Sequence, residues 1–141
     1  MTVNVPKERN KGSYALFLTF NESFKADVGA LGTLTVEKGE YCYAGSAMNG
    51  LSQRIRRHFS KKKKMHWHID RLTVKSDAME AFVSYEKDEC GIARIAEECS
   101  FVPVFKGFGA SDCKCETHLF YNAGGVKEKM LNAAAMIPFA P

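Results

Sequence analysis

The chain has 141 residues, 45% of them hydrophobic and 26% charged, enough for one domain with a sizeable core; intrinsic disorder, a collagen repeat and a stapled mini-protein are excluded. The formal net charge of +4 is unevenly placed. From Arg54 to Arg71 the cations Arg54, Arg56, Arg57, Lys61, Lys62, Lys63, Lys64 and Arg71 face Asp70 alone, a local +7 that leaves the rest of the chain at −3. Residues 1–12 are polar, contain Pro6 and Gly12, and read as a flexible lead-in to a single domain over 13–141. Tyr14 to Phe20 is a continuous apolar run, expected as a strand covered on both faces. It is far shorter than the ~20 residues of a spanning helix, so neither a membrane segment nor a secretory signal is expected.

Gly29 and Gly32 break the next stretch, Thr33 to Val36 reads as a short strand, and Gly39 turns into a strand at Tyr41 to Gly45. Asn49 is the expected cap of a helix with Leu51, Ile55 and Phe59 on one face and Arg54 and His58 on another. Trp67, Ile69 and Leu72 mark a short element of either type, and Met79, Ala81, Val83 and Tyr85 alternate as in a strand. Asp88 should cap a second helix with the stripe Ile92, Ile95 and Cys99, while on the face of Glu89 the small Ala93 and Ala96 would leave room for a substrate or ion. His118 to Tyr121 is the expected last strand, followed by a docking helix through Val126, Met130, Ala134 and Ile137 that Pro138 stops.

Five cysteines are an odd number, and Cys113 and Cys115 lie too close to bridge each other, which points to a reducing cytoplasm with free or metal-bound thiols. Cys113-x-Cys115-x-x-His118, with Cys90 or Cys99 as a fourth ligand, is a candidate structural zinc site. The bland alternative is a set of small core residues. His66, His68 and Asp70 would share a face if extended, but packing and hydrogen bonding explain them as well. Gly107-Phe-Gly109 lacks the rest of a dinucleotide fingerprint, and no P-loop is present.

Gly12-Ser13-Tyr14, Tyr43-Ala44-Gly45 and the spaced pair Arg54 and His58, followed by Glu89 at a helix start, resemble the signature of the GIY-YIG nuclease superfamily. The strings Trp67-His-Ile-Asp70, Glu89-Cys-x-x-Ala93 and Phe108-Gly-x-Ser-Asp-Cys-x-Cys-x-x-His-Leu-Phe120 are similar to a small-protein branch also found fused to endonuclease III. Tyr14 and Tyr43 are 29 positions apart, so an insertion is expected where the signature has a short hairpin, and Ser46 stands where several of these nucleases have lysine. The resemblance implies an α+β fold, with a small, mainly antiparallel sheet flanked by helices, and metal-dependent cleavage of nucleic-acid phosphodiesters, with a link to DNA repair.

It also implies roles that suit the residue types. Glu89 would hold Mg²⁺ or Mn²⁺, and Arg54 would offer a planar fork to phosphate oxygens. Tyr43 would take a proton from water through a phenol pKa lowered by the metal or by nearby cations, with Tyr14 and His58 orienting it. Arg56, Arg57, Lys61, Lys62, Lys63, Lys64 and Arg71 would track the backbone of the nucleic-acid partner, expected to be DNA. The rival readings are a binding module of the same fold without turnover, and a zinc-stabilised interaction domain, against which the +7 stripe argues.

Overall fold

Strand β1 (Gly12–Phe20) is apolar at successive positions, and the fold uses both of its faces. Tyr14, Leu16, Leu18 and Phe20 enter one core while Ala15 and Phe17 enter another on the opposite side, the consequence of a side-chain period of two in a central strand. The computed structural model describes residues 11–110 and 113–140, so most of the expected lead-in lies outside the described residues, and Gly12 already belongs to β1.

The chain continues through β2 (Phe24–Asp27), a 3-10 turn (Gly29–Leu31), β3 (Thr33–Val36), β4 (Gly39–Ala47), α1 (Leu51–Phe59), α2 (Asp70–Thr73) and β5 (Ala78–Ser84). It ends with α3 (Glu89–Glu98), β6 (Phe101–Pro103), β7 (Leu119–Asn122), α4 (Lys127–Ala133) and β8 (Ile137–Phe139). Six strands form one antiparallel sheet in the order β6-β7-β4-β1-β5-β8, and β2 pairs with β3 in a separate two-stranded sheet. This is the α+β architecture expected. Leu51 and Ile55 of α1 and Leu72 of α2 pack into the core shared with Tyr14 and Tyr43, whereas Ile92, Ala93 and Ala96 of α3 and Met130 of α4 pack into the other.

The insertion between Tyr14 and Tyr43 is the β2–β3 hairpin. It does not separate the strands that flank it: Phe20 pairs with Gly39, Leu16 with Tyr43 and Tyr14 with Gly45. Both tyrosines therefore stand on one face of the sheet, two rungs apart.

Several local expectations change. Asn49 does not cap α1; Gly50 does, at φ 71°, because the chain turns out of β4 through a left-handed residue that glycine tolerates. His58 lies on the buried face of α1 with Leu51 and Ile55 instead of the cationic one. Ala93 and Ala96 are buried in the core between α3 and the sheet and do not line the space beside Glu89. Asp88 caps α3 as expected, accepting from Gly91 N at 2.7 Å. The C-terminal helix is shorter than its periodicity suggests: Ala134 O accepts from Ser84 Oγ at 2.7 Å and Ala135 turns at φ 54°. Ile137 and Pro138 then form an edge strand on β5, where a missing N–H is tolerated.

Candidate active site

Where β4 leaves the sheet, a cavity of about 330 Å³ opens between α1, the first turn of α3 and the loop before β7. Tyr14 of β1, Tyr43 of β4, Arg54 and His58 of α1, and Glu89 of α3 all line it, although they span 75 positions of chain. The strand–strand register brings the tyrosines together. Gly45 faces Tyr14 across the ladder, and a Cβ there would lie 2.5 Å from Tyr14 Cζ, so a side-chain-free position lets the phenol cross β4 toward the cavity. Gly109, at φ 67°, does the same for the ring of Tyr43, which a Cβ would approach to 2.9 Å.

Tyr14 Oη lies 2.8 Å from His58 Nε2, and both groups are buried. Burial, with the Lys63 charge, drives the imidazole down to about 3, so His58 is neutral and shares one hydrogen bond with Tyr14. Burial also raises both phenols, with Tyr43 adding to the effect on Tyr14 and Glu89 adding to that on Tyr43; Arg54 opposes it in each case. Of the two causes expected to lower the Tyr43 phenol, the nearby cation Arg54 acts in that direction but is outweighed by desolvation.

Arg54 is positioned by two contacts. Its Nη1 donates to Ser46 O at 2.6 Å, and its guanidinium lies 4.8 Å from the ring centroid of Trp67. Ser46 Oγ in turn donates to Glu89 Oε1 at 3.1 Å. The residue that stands in place of a lysine therefore links arginine and carboxylate, one with its carbonyl and the other with its hydroxyl. Glu89 Oε2 lies 3.3 Å from Nδ1 of the buried His118, close enough for an ion pair but misaligned for a hydrogen bond. His118 and then Ser46 hold the Glu89 carboxyl below its ordinary value against the cost of burial.

Across the imidazole, His118 Nε2 faces Cys113 Sγ at 3.3 Å and Cys90 Sγ at 3.8 Å. With Cys115 these groups form a cluster whose ligand atoms all lie within 4.8 Å of one another, a donor set that can bind a metal ion. Cys99 is buried in the core instead, and all five cysteines are free. Sequence reasoning treated Glu89 and the thiols as separate sites. The adjacency of Glu89 and Cys90 was the signal that they share a wall.

The basic stripe divides in two. Arg57 makes paired 2.9 Å bonds to both oxygens of the buried Asp70 and donates to Lys64 O. Lys63 Nζ donates to Arg57 O and His58 O at the end of α1 and to Thr73 Oγ1, while Lys61 Nζ donates to Thr73 O and to Ser76. Arg56, Lys61, Lys62, Lys64 and Arg71 are exposed, and of these Lys61 has its amine engaged by Thr73 and Ser76. His66 and His68 line the cavity, but Asp70 is enclosed by Arg57 and the backbone N–H groups of His66 and Trp67.

The family described as domain of unknown function DUF123 matches residues 13–137. The chain belongs to it. No curated protein and no solved structure matches this DUF123 chain. Among the described residues, no helix is long and apolar enough to cross a membrane.

Proposed function

We propose that this chain binds a nucleic-acid backbone, DNA in the first instance, and hydrolyses a phosphodiester in the cavity with the help of Mg²⁺ or Mn²⁺. The observation that carries the reading is the convergence of Tyr14, Tyr43, Arg54, His58 and Glu89 on one cavity from four elements. That set is the one the GIY-YIG resemblance marks, and a role in DNA repair and a reducing, cytoplasmic setting for the free thiols go with it.

The donor set suits a hard divalent cation. Glu89 is the carboxylate of the cavity wall, and Mg²⁺ is commonly held by one or two carboxylates while keeping waters and substrate phosphate as its other ligands. Such an ion neutralises charge on the phosphate and activates water. Arg54, held by Ser46 O and stacked on Trp67, keeps further N–H donors for phosphate oxygens. Tyr43 keeps its proton and so acts as a hydrogen-bond donor toward a phosphoryl oxygen, while the Tyr14–His58 pair fixes the cavity floor. Arg56, Lys62, Lys64 and Arg71 offer the exposed charge that tracks flanking phosphates.

A second reading, binding without turnover, is favoured by one observation: the protein's own surroundings raise both phenols and hold His58 neutral, so a proton acceptor at this site would depend on the metal ion. Incubation with labelled linear, flapped and branched DNA and RNA, with and without Mg²⁺ or Mn²⁺, separates the two. Hydrolysis requires metal-dependent cleavage of at least one substrate, abolished by Glu89→Gln with binding retained, and slowed ~10²-fold or more by Arg54→Ala. Binding of these substrates with no cleavage under any of the metal conditions selects the second reading.

A further inference from the structure

We propose that Cys90, Cys113, Cys115 and His118 form a zinc centre in the wall of this cavity, and that the centre positions the Glu89 carboxylate through His118. The second half rests on the reading of Glu89 as the carboxylate of the active site; the first half stands without it.

Three thiols and one imidazole are the donors zinc prefers, whereas a hard cation selects oxygen ligands. The four ligand atoms already lie within 4.8 Å of one another. Tetrahedral bonds of about 2.0–2.3 Å require ligand atoms separated by roughly 3.5–3.8 Å. The separations of 3.3 Å and 3.8 Å from His118 Nε2 to Cys113 and Cys90 lie close to that range. The cluster also joins parts of the chain distant in sequence: Cys90 belongs to the first turn of α3, and the other three lie in the segment that leads into β7.

The orientation of His118 connects the centre to Glu89. A metal on Nε2 fixes the ring proton on Nδ1, and that nitrogen is the one facing Glu89 Oε2 at 3.3 Å. Buried Nδ1 has no hydrogen-bond partner as the ring stands, and a small rotation toward Glu89 supplies one. Carboxylate, histidine and metal then form a chain in which the carboxylate orients the ligand and the ligated ring holds the carboxylate. Glu89 is held twice, through His118 and through its chain neighbour Cys90, with Ser46 Oγ on its other oxygen. His118 is thus a zinc ligand and a positioning residue for Glu89.

The full chain, purified under reducing conditions without chelator, should carry about one zinc per molecule by elemental analysis. Exchange with Co²⁺ should give the intense visible bands of a tetrahedral thiolate site. In competition with a chromogenic chelator, Glu89→Gln should weaken zinc binding ~10–100-fold, while Glu98→Gln at the far end of α3 should leave it unchanged. His118→Cys should keep zinc in a four-thiolate site and the fold, yet raise the Mg²⁺ concentration needed for half-maximal cleavage. Metal-free protein with no thiolate spectrum on Co²⁺ addition overturns the centre, and wild-type zinc affinity in Glu89→Gln overturns the coupling. Absence of cleavage by the wild type counts against the hydrolytic reading alone, because zinc content, Co²⁺ spectrum and Glu89→Gln affinity are read without substrate.

Discussion

His58 is a buried histidine whose one ring nitrogen meets Tyr14 while the other, Nδ1, has no partner. The folded protein keeps it neutral with a pKa of about 3, while the unfolded chain protonates near the ordinary value of 6.5. The unfolded state therefore binds the extra proton between those values. Stability from this residue is complete above about pH 6.5 and is lost progressively as pH falls toward 3. Thermal melts across that window should show a steep acid decline that His58→Gln flattens, and parallel declines would refute the assignment. Gly45 provides a second test at this scale. Gly45→Ala drives a methyl into the ring of Tyr14, whose hydroxyl is tied to His58, and should cost ~1–3 kcal/mol of stability in denaturant unfolding. A cost under ~0.5 kcal/mol would show that the ring yields freely.

Among the elements, the segment from α1 to α2 is held by cations turned inward. Asp70 is fully buried and receives two bonds from Arg57 and two from backbone N–H groups, while Lys63 Nζ lies 3.8 Å away and binds the last carbonyls of α1. A lysine at a helix C-terminus satisfies orphan carbonyls and complements the dipole. Lys63→Met should therefore destabilise the domain by about 2–4 kcal/mol, since it leaves carbonyls and part of a buried ion network unpaired. Lys62→Ala and Lys64→Ala should stay within ~0.5 kcal/mol of wild type in the same unfolding assay. Neutralising all four lysines together would thus mix a folding defect with a binding defect. Arg56, Lys62, Lys64 and Arg71 are the set that tests binding.

For the molecule as a whole, the charge that remains free determines how a polyanion is met. Each phosphate contact steepens the salt dependence of binding by about 0.9 in log–log slope for duplex DNA, so removing those four exposed cations should flatten it by up to ~3–4. A slope unchanged in the quadruple variant would place the interface elsewhere. Trp67, the chain's single tryptophan, lies in the cavity wall with the guanidinium groups of Arg54 and Arg57 at 4.8 Å and 4.7 Å from its ring. An oligonucleotide that draws Arg54 onto phosphate should change Trp67 fluorescence, with a midpoint that moves to higher concentration as salt is added. Binding that leaves the fluorescence untouched would exclude the cavity as the contact.

The sequence by itself determined the elements whose signal is local. The apolar run of β1, the fourfold spacing of Leu51 and Ile55, and Asp88 before α3 each record the burial of a face or the capping of an end within a few residues. It also marked the five residues now found around one cavity. Tertiary structure decided what depends on partners distant in sequence. Lys61 and Lys63 look solvated in a run of four lysines, and only the carbonyls and hydroxyls of residues 73 and 76 engage the amine of the exposed Lys61 and turn Lys63 inward. Ala93 and Ala96 read as open space because small residues fit both a vacancy and a tight helix–sheet contact. β8 has three residues, too few for a period, and exists because β5 offers it an edge. Glu89 and the thiols joined into one wall for the same reason: a carboxylate finds its imidazole 29 positions away only when α3 and the segment before β7 are packed together.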